Sequence, residues 1–179
     1  MKILFLGDVV GISGCSKILN ELKSEVEKKK IDFVIVNGEN SAVSGVGLTE
    51  QTCKDFFNCG VNVITSGNHV WDQKAIMNYI DKENRLLRPY NFFEPSTGKG
   101  FGIYKTSNNI NIGVLNLMGN VHMKKCEDVF ETAKKFLKNH VLGEDYDLLI
   151  VDFHAEITSE KNAIGHYFDG KATLVVGTH

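Results

Sequence analysis

Short apolar runs that alternate with longer, polar, helix-like segments are the feature that most constrains the fold of this chain. Residues 33–36 and 148–151 are apolar at every position, as expected for strands that are covered on both faces. Helical patterns lie at about 17–30, 49–58 and 126–139, and another follows Thr158. This β-α-β rhythm predicts an α/β protein with a mostly parallel sheet.

The same pattern gives the strands and the domain organisation. We predict strands at 3–6, 33–36, 61–65, 103–105, 110–115, 148–152 and 173–176. The glycine-rich turn at 98–102 precedes two strands, 103–105 and 110–115, that we expect to be antiparallel. No repeat, low-complexity stretch or linker divides the sequence, so residues 1–179 are predicted to form a single domain.

Composition and charge argue against duplex nucleic-acid binding, membrane association and cysteine-based sites. The 20 Lys and Arg against 22 Asp and Glu give a net charge of −2, which disfavours binding to duplex nucleic acid because that binding depends on phosphate neutralisation. Asp8 interrupts the first apolar run before a signal peptide or membrane span could form, so we expect a cytoplasmic protein with no membrane partner. The four cysteines, which have neither disulfide nor zinc spacing, are expected to be reduced: Cys15, Cys53, Cys59 and Cys126.

Polar groups that can bind a metal follow five of the apolar runs. In chain order they are Asp8, then Glu39 and Asn40, then Asn68 and His69, then His154, and finally His179. Because the carboxyl ends of parallel strands meet at one edge of a sheet, we expect these side chains to converge. Taken singly, each residue also has a structural interpretation as a helix cap, a turn former or a core histidine.

The chemistry of this set favours a divalent cation. Carboxylate, amide oxygen and imidazole together suit Mn, Fe or Zn, and one glutamate can bridge two ions roughly 3.5–4 Å apart. The loop at 7–14 lacks both glycine-rich nucleotide-binding spacings, and Ser66 and Cys59 lack the sequence context of a covalent nucleophile. The remaining histidines lie away from strand ends and are expected to be structural or exposed: His122, His140 and His166.

Five short motifs, in this order, resemble those of the YmdB-like metallophosphoesterases, a branch of the calcineurin-like superfamily. They are Gly-Asp-Val-Val-Gly at 7–11, Asn-Gly-Glu-Asn at 37–40, Gly-Asn-His-Val-Trp-Asp at 67–72, Val-Asp-Phe-His-Ala-Glu at 151–156 with Thr-Ser-Glu-Lys at 158–161, and Gly-Thr-His at 177–179. The resemblance implies a four-layer αββα sandwich with two divalent metal ions, Fe or Mn being favoured over Mg or Zn. It also implies a phosphodiesterase that hydrolyses cyclic nucleotides, 2′,3′-cyclic ones preferentially.

The resemblance also implies a role for each matching residue. Asp8 and Asn40 would hold the first ion, Glu39 would bridge, and Asn68, His154 and His179 would complete the second. A metal-bridged hydroxide would attack phosphorus, and His69 would protonate the departing ribose oxygen. Trp71 is expected to support this turn by packing and Asp72 by capping the next helix, while Asp152 either orients a ligand imidazole or has a buried structural role.

Two departures from the family pattern leave alternatives open. Asn120 stands where the resemblance leads us to expect an arginine, and the Gly-Thr-His motif stops at His179, so we expect a truncated chain that lacks the C-terminal portion of the family fold. One alternative is a catalytically weak regulatory protein that binds nucleotides or RNA, and another is a purely structural α/β subunit. The expected partners are a cyclic nucleotide, then RNA ends, and a second copy of the chain at an unpaired sheet edge.

Overall fold

Two sheets form the centre of the protein, which a computed structural model describes over residues 1–179. The first sheet is wholly parallel and has the order β1-β2-β3, namely β1 (Ile3–Leu6), β2 (Phe33–Asn37) and β3 (Val63–Thr65). The second has the order β4-β5-β6-β7, namely β4 (Phe101–Lys105), β5 (Asn111–Met118), β6 (Leu148–His154) and β7 (Leu174–Thr178). Only the β4–β5 pair is antiparallel, as predicted.

Five helices connect these strands. They are α1 (Gly11–Lys29), α2 (Glu50–Asn58), α3 (Ile76–Ile80), α4 (Val129–Asn139) and α5 (Thr158–Tyr167). The side chains of Thr49 and Asp128 cap α2 and α4 by accepting backbone N–H groups in the first turn. No helix combines the length and the apolar character needed to cross a membrane. The four cysteines are free thiols.

Alternate residues of the strands face different layers. In β2, Val34 and Val36 pack in the cluster that contains Ile18 and Leu22 of α1. Phe33 and Ile35, with the opposite side-chain direction, pack in a cluster shared by the two sheets, together with Val63, Leu87, Ile112, Val114 and Ile150. On the far face of the second sheet, residues of β5 and β6 pack on α4 and α5. The layers therefore follow the order α/β/β/α, which confirms the expected four-layer sandwich.

The strand pattern correctly predicted mostly parallel pairing, but it did not predict that the strands divide into two sheets. A strand covered by a helix on one face and by a second sheet on the other is as continuously apolar as a strand between two helical layers. The apolar pattern at 33–36 therefore indicates that both faces of the strand are buried, but it does not show whether a helix or a second sheet covers each face.

Several predicted boundaries also shift. Helix α1 begins at Gly11 rather than near residue 17, because Gly11 and Gly14 favoured a loop in the prediction although both lie within the helix. Helix α4 begins at Val129 rather than 126, and the short α3 was not predicted. Strands β5, β6 and β7 continue two or more residues beyond their predicted ends. Their polar residues remain in the strands because they hydrogen-bond between the sheets.

Candidate functional site

The loops that follow the strands converge at one edge of both sheets. Asp8 follows β1 with a φ of 37°, a backbone conformation that Asp tolerates better than most residues. The N–H of Val9 donates to Asn37 O at 2.9 Å, and the N–H of Gly11 donates to Asn40 O at 2.8 Å. These bonds hold the loops after β1 and β2 side by side, and Asn40 Nδ2 donates to Asp8 Oδ1 at 3.1 Å.

Residues from both sheets meet at this edge. Asp8, His154 and His179 offer one ligand atom each, and these atoms all lie within 4.8 Å of one another. Glu39 and Asn68 adjoin the same group through contacts with His154. The six residues predicted as metal ligands are thus all brought together by the fold, although 171 positions separate Asp8 from His179 in the sequence.

Glu39 and His154 form the buried centre of the cluster, and both have no exposed surface. Glu39 Oε1 accepts the backbone N–H of His69 at 2.8 Å. Glu39 Oε2 lies 2.5 Å from His154 Nε2, but the pair does not have hydrogen-bond geometry, and Oε2 has no hydrogen-bond partner. A buried, unpartnered carboxylate oxygen is unfavourable without a cation or donor beside it.

The Nε2 atom of His154 faces three groups with lone pairs. Besides Glu39 Oε2, these are Asn68 Oδ1 at 3.2 Å and His179 Nδ1 at 3.0 Å. At most one proton can lie on Nε2, so it cannot satisfy three acceptors. A divalent cation would satisfy all of them at once. The donor set and the unpartnered Glu39 oxygen therefore fit a metal ion.

Gly67 lets the backbone pass close to this centre. A Cβ atom built on Gly67 would overlap Glu39 Oε2 and the imidazole ring of His154. Any larger residue would displace one of these two side chains. The glycine before Asn68 and His69 is thus required by close packing rather than by an unusual φ angle.

Asp152 orients His154 indirectly. Thr178 Oγ1 donates to Asp152 Oδ1 at 2.7 Å and lies 3.0 Å from His154 Nδ1. Since the Thr178 hydroxyl proton is directed to the carboxylate, its oxygen is free to accept from His154 Nδ1, and this arrangement leaves Nε2 facing the cluster. Both roles that the sequence left open for Asp152, orienting an imidazole and being structural, correspond to contacts in the structure.

The Asp152 carboxylate is fully buried between the sheets. Besides Thr178, it accepts from Asn37 Nδ2 at 2.8 Å and from Thr65 Oγ1 at 2.5 Å. Burial raises the pKa of Asp152, and the hydrogen bonds from Thr65, Thr178 and Asn37 oppose that rise. A buried acid with three donors is strongly held in one position.

His69 lies at the rim of the cluster, in the turn after β3. Its Nδ1 is 2.6 Å from Asp72 Oδ2, and Lys124 Nζ donates to Asp72 Oδ1 at 2.9 Å. Partial burial acts to raise the pKa of Asp72, but the hydrogen bonds from His69 and Lys124 outweigh it and hold this pKa below its ordinary value. Because an ionised carboxylate only accepts, Nδ1 of His69 carries the proton and Nε2 is left for other partners.

The expectation that Asp72 caps the next helix is wrong. The N-cap of α3 is Ala75, without a side-chain cap, because three residues separate Asp72 from the start of the helix and its carboxylate is bound to His69 and Lys124. Trp71 packs against the core of the first sheet, with its ring centroid 6.1 Å from that of Phe92. Packing is the role predicted for Trp71.

Asn120 has contacts that explain why a polar amide fits there. Its Nδ2 donates to Glu127 O at 3.0 Å, and its Oδ1 accepts the N–H of Val129 at 2.9 Å. The side chain thus closes the loop that leads into α4. Of the other histidines, His140 stacks near Phe101 and Phe136, and both His122 and His166 are exposed.

Sequence reasoning missed the residues that support the cluster from below. They are Asn37, Thr65, Asn116 and Thr178, all buried. Each lies two positions after an apolar or partly buried residue of its own strand, on the same face. A polar residue at the last inward position of several strands was the available signal. Lys124 had no such signal, since its contact is made across two loops.

The layer order and the strand-end cluster define a calcineurin-like α/β/β/α sandwich. The family model described as "YmdB-like protein" matches residues 4–179, and the chain belongs to that family. It is 42% identical over 179 residues to a Bacillus subtilis (strain 168) protein named 2′,3′-cyclic-nucleotide 2′-phosphodiesterase. It is 40% identical over 185 residues to a Mycoplasma pneumoniae protein named putative phosphatase/phosphodiesterase.

Solved structures show the same fold. A crystal structure of a hypothetical protein from Thermus thermophilus matches with a TM-score of 0.90 at 34% identity, and one of a novel phosphatase from Mycoplasma pneumoniae matches with a TM-score of 0.89 at 38% identity. All of this chain is covered in each comparison, against 68% and 64% of those two chains. The chain likewise spans 66% and 64% of the two curated relatives.

Proposed function

We propose that this chain carries the metal centre of a phosphodiesterase that hydrolyses cyclic nucleotides, with 2′,3′-cyclic nucleotides preferred. The observation that carries the proposal is the buried, unpartnered Glu39 Oε2 atom facing His154 Nε2. Lone pairs from two sheets converge on that position, and charge neutralisation by divalent cations is the common way to stabilise such a set.

Two ions are proposed, with Fe or Mn favoured. Asp8 and Asn40, which contact each other, would hold one ion, Glu39 would lie between the two, and Asn68, His154 and His179 would hold the other. Bound divalent ions supply neutralisation of phosphate charge and a lowered pKa of a coordinated water.

The chain's own residues then have separate tasks. Asp152 and Thr178 fix the ring of His154, so that Nε2 remains turned toward Glu39 and Asn68. Asp72 holds the proton on Nδ1 of His69. In the imidazolium form, His69 carries a second proton on Nε2. It would give that proton to the departing ribose oxygen, which is a poor leaving group without one, and the ring would be left neutral with its Nδ1 proton still on Asp72.

The proposed substrate is supported by the role of His69 as proton donor and by the name of a relative in the YmdB-like family. A ribose oxygen leaves when a cyclic phosphodiester opens, and the Bacillus subtilis relative is named for action on 2′,3′-cyclic nucleotides. The net charge of −2 does not favour a long polyanion as the substrate. A small cyclic nucleotide is therefore the proposed ligand.

The test is turnover by protein that has been stripped with a chelator and titrated with Mn²⁺. The substrates are 2′,3′-cyclic AMP, 3′,5′-cyclic AMP and a bis-aryl phosphate. We expect Mn²⁺ to restore turnover and, by binding the native state, to raise the melting temperature. The control variant is Glu144→Gln, an exposed glutamate in the segment before β6, which should respond as the wild type does.

Each other outcome contradicts a particular part of the proposal. Metal-independent turnover would contradict the metal centre. A melting temperature unchanged by Mn²⁺, with no turnover, would favour a structural subunit. Metal-independent binding of a cyclic nucleotide without turnover would favour a regulatory binding protein.

A further inference from the structure

Lys124 joins the loops of the two sheets beside His69. Its Nζ is 2.9 Å from Asp72 Oδ1, and the other oxygen of that carboxylate is 2.6 Å from His69 Nδ1. His69 and Asp72 follow β3 of the first sheet, whereas Lys124 lies between β5 and α4, after a strand of the second sheet. The two contacts therefore form a chain of three side chains across the sandwich.

The loop that carries Lys124 is held at several points. Asn120 closes it through Glu127 O and the N–H of Val129. The carboxylate of Glu160 accepts the backbone N–H of Asn120 at 2.8 Å, and Met123 packs against the core of the first sheet. An ion pair between mobile surface side chains stabilises a protein very little, but this lysine extends from a fixed backbone toward a fixed turn.

We propose that Lys124 is a positioning residue for His69 and acts through Asp72. The inference rests on the proposed function, in which His69 donates a proton. With one carboxylate oxygen bound to Lys124, Asp72 keeps its other oxygen on His69 Nδ1. In the proposed step the proton leaves His69 Nε2 for the departing oxygen, while the proton on Nδ1 stays and remains hydrogen-bonded to Asp72.

This role predicts a dependence on the leaving group. A ribose alkoxide requires a proton donor, whereas a p-nitrophenolate departs readily without one. Loss of a positioning residue should slow hydrolysis of 2′,3′-cyclic AMP and leave hydrolysis of bis-p-nitrophenyl phosphate nearly unchanged. A contact that merely stabilises the fold would affect both substrates equally.

The variants are Lys124→Met, which keeps the aliphatic stem, Lys124→Arg, which keeps the charge, and Asp72→Ala. The matched control is Lys125→Met, since Lys125 is the exposed neighbour and makes no ion pair. For kcat on 2′,3′-cyclic AMP we expect a loss of roughly 10- to 100-fold in Asp72→Ala. We expect about two- to fivefold in Lys124→Met and recovery in Lys124→Arg, with little change in KM. Lys124→Met should add nothing in the Asp72→Ala background.

A second measurement does not require activity. Two-dimensional ¹H–¹⁵N spectra of the metal-free chain report which ring nitrogen of His69 is protonated. We expect a protonated Nδ1 in the wild type and in Lys125→Met, a shifted His69 signal in Lys124→Met, and loss of the Nδ1 preference in Asp72→Ala.

The two measurements separate the possible failures. An inactive wild-type chain with the expected His69 spectra would count against the proposed function and support the positioning contact. His69 spectra that are identical in Lys124→Met and Lys125→Met would overturn the role of Lys124, whatever the activity. Equal losses on both substrates in Lys124→Met would overturn it as well.

Discussion

The space between the two sheets has an apolar half and a polar half, built by the same strands. Within a strand, the apolar half gives way to the polar half over two positions. The pairs are Ile35 and Asn37, Val63 and Thr65, Val114 and Asn116, and Ile150 and Asp152. The first member of each pair belongs to the apolar inter-sheet cluster. The second belongs to the buried hydrogen-bond network beneath the candidate ligand cluster. The apolar cluster and the hydrogen-bond network are thus one two-residue repeat apart along each strand.

The two halves are stabilised in different ways. The apolar half gains from removal of its surface from water and does not depend on direction. The polar half gains only if each buried donor and acceptor is paired, and an unpaired one destabilises the fold. Two buried side-chain polar atoms in the protein have no hydrogen-bond partner, Glu39 Oε2 and Thr132 Oγ1. Thr132 lies in α4, so Glu39 Oε2 is the one that belongs to the polar half. The polar half is therefore complete except where a cation is proposed.

The largest effect is expected from Glu39→Gln, which removes the charge from the polar half and keeps its shape. Gln retains an oxygen that can accept the N–H of His69, so the fold should persist. Loss of a bridging carboxylate removes several kcal/mol of transition-state stabilisation, so turnover of 2′,3′-cyclic AMP should fall by about 10³-fold or more. Binding of Mn²⁺, measured by isothermal titration calorimetry, should weaken in parallel. A metal-replete and active variant would contradict the proposed centre.

Ile150→Ala should affect the apolar half alone. Ile150 is 1% exposed, and truncation of a buried isoleucine lowers the free energy of unfolding by about 2–5 kcal/mol. Denaturant unfolding would measure this loss. The affinity for Mn²⁺ should stay at the wild-type value, since Ile150 packs in the apolar inter-sheet cluster, which contains none of the proposed ligands. A large loss of metal affinity would show that the two halves are not independent.

Asp152→Ala, two residues further along β6, should affect both stability and metal binding. It leaves the hydroxyl donors of Thr65 and Thr178 without their acceptor and removes one of the two acceptors of Asn37 Nδ2, and a buried unsatisfied group destabilises by about 1–3 kcal/mol. We expect a loss of about 2–3 kcal/mol in the same unfolding experiment. The affinity for Mn²⁺ should fall by roughly tenfold, because Thr178 no longer fixes His154. Unchanged metal affinity would limit Asp152 to a structural role.

The apolar half could be predicted from the sequence far better than the polar half. Runs such as 33–36 predicted buried strands because hydrophobic burial requires only a pattern. The six ligand candidates were proposed because each lies at or just after the end of an apolar run, and their convergence follows from parallel strand order. Thr65, Asn116 and Thr178 were not found, since their partners lie on strands far away in the sequence. The same reason hid the contact of Lys124 with Asp72.

The smallest effects come from two threonines that can be compared directly. Thr65→Val and Thr178→Val each remove one hydroxyl that donates to Asp152, and each should lower the free energy of unfolding by about 1 kcal/mol. Only Thr178 also contacts His154. Thr178→Val should therefore weaken Mn²⁺ binding by roughly tenfold, whereas Thr65→Val should leave it unchanged. Equal metal affinities in the two variants would mean that the network supports the fold without orienting the imidazole. Thr178 would then contribute to stability alone, as Thr65 does, and not to metal binding.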